Sequence, residues 1–163
     1  QLSRGLGDVY KRQPSELLNI LNDEICETTS RGMFVTMLIG IYDKNKKELI
    51  LSNAGHEPPL IYSNDKFFSK FEDAGPPLGI APKVKFTEKK ISFEKSSMYI
   101  FTDGITEIKD QAGQMLGPEG FQNYIKKYQN ISNNERLQKI IEDLISSGRI
   151  QKDDLTILAV DGE

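Results

Sequence analysis

The chain has one cysteine, one histidine and no tryptophan in 163 residues, and each scarcity removes a class of protein. A single thiol, Cys26, cannot close an internal disulfide, which excludes a cysteine-rich secreted scaffold and a cysteine-based zinc site. With His56 as the one imidazole, a multi-histidine metal centre is excluded as well. Any metal must then be held by carboxylates and be a hard ion such as Mg²⁺ or Mn²⁺. No apolar run approaches the roughly 18 residues of a membrane-spanning helix, so no membrane contact is expected from this segment. Lys and Arg number 21 against 24 Asp and Glu, a net charge of −3. Without a basic run, nucleic acid is not an expected partner. No glycine-rich phosphate loop follows an apolar stretch, and no G-x-S-x-G elbow marks a nucleophilic serine.

What remains is the composition of a folded domain, 37% hydrophobic and 28% charged, at a length that suits one domain rather than two. Residues 1–13 stand apart. They show neither periodicity nor the apolar stretch of a signal peptide, and from Ser3 to Gln13 they look like the translation of a transposon-derived sequencing adaptor. Residues 1–13 are therefore expected to be an assembly scar, and residues 14–163 the C-terminal part of a domain that continues upstream in its parent protein.

From Pro14 the spacing of Leu17, Leu18, Leu21 and Ile25 predicts a helix that stops at Arg31-Gly32. Its Cys26 is expected to face inward as a small apolar residue. Residues 33–42 (MFVTMLIGIY) predict a buried strand, and residues 48–53 its hairpin return. Short strands follow at 60–62 and about 66–71. A proline-stiffened loop spans 75–80, an alternating strand 84–93, and a fully buried strand 97–102 that Asp103-Gly104 stops. Two helices are predicted over 118–128 and 134–145, then a buried strand over 155–160, entered directly from Asp153-Asp154. Helix, run of strands, two helices and a last strand argue for an α+β fold with a mainly antiparallel sheet.

Asp103 and Asp153 carry the chemistry. One stands where an apolar strand leaves the sheet, the other where an apolar strand enters it. Antiparallel neighbours would bring both carboxylates to one rim, a repulsive arrangement that a divalent cation relieves. Gly104, lacking a Cβ, lets other groups approach closely. The plainer alternative is that Asp103-Gly104 is a turn, Asp153-Asp154 a loop start, and both aspartates are solvated. His56, alone in a turn, reads as a hydrogen-bonded structural residue at least as readily as a functional one.

Five ordered blocks add a resemblance: Met33-Phe34-Val35-Thr36; Asn53-Ala54-Gly55-His56-Glu57-Pro58-Pro59; Gly75-Pro76-Pro77-Leu78-Gly79-Ile80; Phe101-Thr102-Asp103-Gly104-Ile105-Thr106-Glu107; and Asp153-Asp154-Leu155-Thr156. Together they resemble the SpoIIE-like branch of the PPM (protein phosphatase 2C-like) serine/threonine phosphatases. The resemblance implies an α-β-β-α sandwich, two mainly antiparallel sheets flanked by helices and incomplete here at the N-terminus. It also implies metal-dependent hydrolysis of protein phosphoserine or phosphothreonine with two divalent cations, Mn²⁺ or Mg²⁺. It makes Asp103 and Asp153 metal ligands, with no side chain as nucleophile, and Thr102, Gly104 and Asp154 shapers of the loops. His56 would line the site without being a ligand. The implied substrate is a regulatory phosphoprotein such as an anti-sigma-factor antagonist. The implied location is cytoplasmic, in a parent that carries an upstream sensor domain and can be membrane-anchored through upstream segments. The family's two upstream aspartate blocks are missing; Asp8 in Gly7-Asp8-Val9-Tyr10 mimics one superficially and is assigned no role. This chain alone is accordingly expected to fold poorly and turn over little phosphate, and a non-catalytic phosphoprotein-binding or partner-binding module of the same fold is the alternative.

Sequencing the locus from intact genomic DNA tests the organisation. Both aspartate blocks are expected to be encoded 5′ of the Pro14 codon in place of residues 1–13. An ordinary coding sequence running unbroken into residues 2–13 would contradict that.

Overall fold

The computed structural model of the chain describes residues 12–29, 32–68, 74–151 and 153–163. Most of the expected scar, the Arg31 half of the first helix stop and the end of the strand predicted to reach residue 71 lie outside them. The fold is α+β with two antiparallel sheets, as expected. The chain divides into two compact units, one formed by Gln1–Pro58, Lys70–Glu94 and Glu163, the other by Pro59–Ser69 and Lys95–Gly162.

In the first unit, helix α1 (Pro14–Thr28) begins with proline at its first turn and a reciprocal Gln13/Glu16 capping box, satisfying amides that have no partner inside the helix. Strands β1 (Met37–Asp43), β2 (Glu48–Ala54) and β5 (Lys89–Ser92) form a sheet in the order β1-β2-β5. Leu18, Ala54, Leu78 and Phe86 make its core. Polar side chains of α1 tie down the proline loop. Asn22, fully buried, donates to the Ala81 carbonyl (2.9 Å) and accepts from the Gly79 amide (3.1 Å), while Asn19 accepts from the Phe86 amide (2.9 Å). A buried amide with its polar atoms partnered costs little and fixes geometry.

Three expectations fail here. The strand predicted over 33–42 is not buried: Met33, Phe34 and Val35 lie before β1 at 61%, 57% and 44% exposure, with Val35 in an isolated bridge to Leu78, and β1 itself has no fully buried residue, Ile41 being 40% exposed. Apolar content alone does not say which residues are covered. The alternating pattern over 84–93 yields strand only at Lys89–Ser92, because the Phe86 amide is bonded to Asn19 rather than to a neighbouring strand. Cys26 is half-buried rather than fully inward.

In the second unit, β3 (Leu60–Ser63), β4 (Lys66–Phe68), β6 (Ser96–Phe101) and β7 (Ile157–Asp161) form a sheet in the order β4-β3-β6-β7, every pair antiparallel. A one-turn helix α2 (Asp103–Thr106) follows β6, and two longer helices, α3 (Gly117–Lys127) and α4 (Asn133–Ser146), precede β7. Leu60, Tyr99 and Phe101 from the sheet pack with Ile105 and Ile108, with Phe121 and Ile125 of α3, and with Ile140 and Leu144 of α4. The strand predicted over 155–160 begins two residues later, and it is not fully buried: Leu158 is 54% exposed.

One buried cation organises this core. Arg136 of α4, 5% exposed, donates from Nη1 to the Tyr99 hydroxyl (2.6 Å), to Ser97 Oγ (3.3 Å) and to Asp161 Oδ1 (3.2 Å), and from Nη2 to the Ile131 carbonyl (3.2 Å). A guanidinium removed from water needs such partners, since an unpaired one costs several kcal/mol. Burial pushes the Tyr99 phenol above its ordinary range, and Arg136 partly offsets this. Among the described residues, no helix is long and apolar enough to cross a membrane.

On the solvent side, Asp143 of α4 accepts from Lys127 Nζ (2.6 Å) and from the Tyr128 hydroxyl (2.5 Å) at the end of α3. These two bonds, that from Lys127 first, hold the carboxyl below its ordinary value of 3.8. A lowered folded-state pKa adds stability that is present above the unfolded value and lost as pH falls through the folded one. Asp143→Asn should therefore lose most relative to wild type above about pH 4 and converge with it as pH falls below that. Urea midpoints across that range, in this chain or in a longer protein carrying it, check the prediction; a constant difference would contradict it.

Candidate metal centre

β6 and β7 are antiparallel neighbours in the register Phe101↔Ile157, which brings the end of one beside the start of the other. Beyond the last ladder pair the chains remain joined. The Thr102 amide donates to the Thr156 carbonyl (3.2 Å). The Thr102 hydroxyl donates to the Asp154 carbonyl (3.2 Å) and accepts from the Thr156 amide (3.3 Å). Seven residues after Thr102 and six before Thr156, the two segments meet again, the Ile150 amide donating to the Lys109 carbonyl at 2.7 Å. The segments bearing Asp103 and Asp153 are thus pinned at both ends.

Asp103 opens α2, whose single turn is closed by the Glu107 amide on the Asp103 carbonyl (2.8 Å) and by the Thr106 hydroxyl on the same oxygen (3.1 Å). Ile105, fully buried, and Ile108, 3% exposed, anchor that turn to the core, leaving Asp103 on the solvent side. Gly104 is the point of closest approach. A Cβ built on it would lie 2.3 Å from the Asp154 carbonyl oxygen and 3.6 Å from the Asp153 carbonyl carbon, so only glycine lets the two loops sit this close.

Asp103, Gly104, Asp153 and Asp154 are therefore brought together. Both Asp103 and Asp153 are exposed. Asp153 Oδ1 accepts from the Asp154 amide (2.8 Å), and the Asp103 carboxylate takes no hydrogen bond among the described residues. Carboxylates suit a hard divalent cation in kind. In number they fall short of a coordination shell: among the described residues, no three His, Cys, Asp or Glu side chains group closely enough to enclose an ion.

His56 belongs to the first unit, on the turn after β2. Asn53 accepts from the His56 amide and donates to the His56 carbonyl, both at 2.9 Å, and Gly55 takes a positive φ of 71° to make the turn. The ring Nδ1 lies 3.0 Å from the Glu57 carbonyl. What the sequence reading undervalued is the Thr102 hydroxyl. Its signal was threonine immediately before the aspartate, with Thr156 immediately after the opposing loop.

Comparison with known proteins bears on the family and the fold. The family described as stage II sporulation protein E (SpoIIE) matches residues 3–162. Phosphoserine phosphatase RsbU of Bacillus subtilis (strain 168) is 30% identical over 150 residues, which is 90% of this chain and 44% of RsbU. The chain thus spans less than half of that relative. Among solved structures, the PP2C domain of SiaA from Pseudomonas aeruginosa superposes with a TM-score of 0.79 at 16% identity, covering 99% of this chain and 65% of that one. The catalytic domain of the serine/threonine phosphatase PstP, solved with two manganese ions, does so with a TM-score of 0.63 at 13% identity, over 86% of this chain and 66% of that one. At these identities the superpositions speak for the fold.

Gly104→Ala should force the two loops apart and cost about 1–3 kcal/mol, the usual penalty of overpacking. Thr102→Val should cost about 1 kcal/mol through two lost hydrogen bonds, while Thr102→Ser keeps them. Urea denaturation of the three variants checks this ordering; equal stability for valine and serine would contradict it.

Proposed function

The chain belongs to the SpoIIE-like branch of the PPM (protein phosphatase 2C-like) phosphatases, and from that membership we propose that its parent protein is a metal-dependent phosphatase for phosphoserine or phosphothreonine in a regulatory phosphoprotein, such as an anti-sigma-factor antagonist. What supports the reading is that the strand tips bearing Asp103 and Asp153 adjoin, with Thr102 bonded to Asp154 and Thr156 and Gly104 set against the Asp154 carbonyl. In this reading Asp103 and Asp153 hold divalent cations, Mn²⁺ or Mg²⁺. Further ligands come from upstream blocks of the parent.

When bound, such a pair of cations supplies a nucleophile at neutral pH and offsets the charge that develops on a transferred phosphoryl group. The protein's own contribution is placement. α2 holds the Asp103 carboxylate on the solvent side of a buried anchor. The Asp154 amide fixes one oxygen of Asp153. The close approach at Gly104 keeps the two carboxylates from drifting apart, which would weaken both metal binding and the in-line geometry of attack. His56 carries no ligand role in this reading. An upstream sensor domain and a cytoplasmic site of action belong to the same proposal.

A partner-binding module without turnover is the second reading. It is favoured by the presence of two carboxylates, not three or more, in the cluster among the described residues.

In the parent protein, Asp103→Asn and Asp153→Asn should each lower p-nitrophenyl phosphate and phosphoprotein turnover with Mn²⁺ by about 100-fold or more, beyond the loss typical of groups that merely support metal ligands. Calorimetry should show weakened Mn²⁺ binding in both. Wild-type parent that binds Mn²⁺ without turnover would favour the module. Turnover undiminished in both variants would remove these aspartates from the chemistry.

A further inference from the structure

A small apolar notch opens in the second unit beside Asp153. Its volume is about 60 Å³, and Ile108, Leu144, Ile145, Arg149, Gln151 and Leu155 line it. Gln151 and Leu155 stand two residues either side of Asp153, so at about 3.3 Å per residue these walls lie within roughly 7 Å of chain from it. Gln151 is also tied to it directly, its Nε2 donating to the Asp153 carbonyl at 3.0 Å. Ile108 arrives from the other aspartate segment, just past α2. The notch is thus built between the same two stretches that present Asp103 and Asp153.

Its chemistry is specific. The space exceeds the roughly 10–15 Å³ that one water requires, and four of its six lining residues are aliphatic, with Arg149 and Gln151 the polar ones. A branched aliphatic side chain suits it. Apolar surface continues outward, since Ile145 is 63% exposed while its neighbour Leu144 is 1% exposed at the base. Arg149, half-buried at the rim, makes no ion pair or side-chain hydrogen bond among the described residues. A guanidinium so placed complements a carboxylate or phosphate on an incoming partner.

We propose that this notch is a docking subsite for the phosphoprotein substrate, receiving one aliphatic side chain near the phosphorylated residue while Arg149 receives an acidic group beside it. The proposal rests on the phosphatase reading and adds to it a sequence preference: Leu, Ile or Val together with Asp or Glu flanking the phosphoserine. Binding energy gained here would act on substrate association rather than on the phosphoryl group itself, and so would appear in KM.

The test uses the parent protein with Mn²⁺, p-nitrophenyl phosphate, and short phosphoserine peptides in which leucine and aspartate are scanned through an otherwise alanine frame. One leucine position should lower KM about tenfold, the scale on which an apolar pocket discriminates. Ile145→Ser and Arg149→Glu should abolish the leucine and aspartate preferences respectively, raising KM about tenfold with kcat changed by less than about twofold. Thermal melts by circular dichroism establish that both variants are folded; Ile145 is exposed enough for its replacement to be tolerated. A flat leucine scan, or a preference that survives in Ile145→Ser, overturns the proposal. Self-association of the parent that disappears in Ile145→Ser, seen by sedimentation, would make a second copy the occupant and overturn it as well. If wild-type parent hydrolyses neither p-nitrophenyl phosphate nor the all-alanine peptide, the phosphatase reading itself has failed. Hydrolysis of both with a flat scan sinks the docking subsite alone.

Discussion

The approach of two backbones at Gly104 sets the geometry of everything functional in the second unit. With 2.3 Å between a would-be Cβ and the Asp154 carbonyl oxygen, any side chain at position 104 must push the β6 exit away from the β7 entrance. Two carboxylates share a rim only because that push is absent. Thr102 then converts proximity into fixed spacing, its one hydroxyl donating to one residue of the opposing loop and accepting from another. The loops that bear Asp103 and Asp153 are therefore held side by side by backbone and hydroxyl contacts.

That spacing depends in turn on register. A slip of one residue between β6 and β7 would reverse every side chain on one strand and move one aspartate loop past the other. Arg136 guards against it from the helix layer, since its guanidinium touches Ser97 and Tyr99 on β6 and Asp161 on β7 at once. No slipped pairing keeps all three partners. A buried ion pair is often a weak source of stability but can be a good source of uniqueness, and here the uniqueness bears on the distance between two residues at the far end of the same strands.

Much of this was legible in the residue order. The apolar run before Asp103 and the one after Asp153 announced strands whose tips carry acid, and an α+β order made their antiparallel pairing the natural arrangement. The helices at 117–127 and 133–146 follow directly from aliphatic spacing. Other features were not legible, for physical reasons. Met33, Phe34 and Val35 have strand-like composition, yet exposure is set by what covers them rather than by their own preference. Phe86 is core without being strand, because a side-chain amide from α1 takes its backbone donor. The turn of α2 is too short to leave a periodic signature. His56 shows the opposite problem: a residue singled out by motif sits in a turn whose geometry Asn53 and Gly55 explain without any ligand.

β7 ends its sheet, and among the described residues it pairs with β6 alone. Its outer margin has no strand partner among the described residues, though Asn133 Nδ2 donates to the Ala159 carbonyl, and Leu158 stands there at 54% exposure with no proline or lysine in the strand to deter a newcomer. Natural sheets blunt such margins because one edge templates another. Left uncapped, this strand makes intermolecular β-pairing the foremost route to aggregation. Material handled at high concentration should be limited by solubility before it is limited by unfolding.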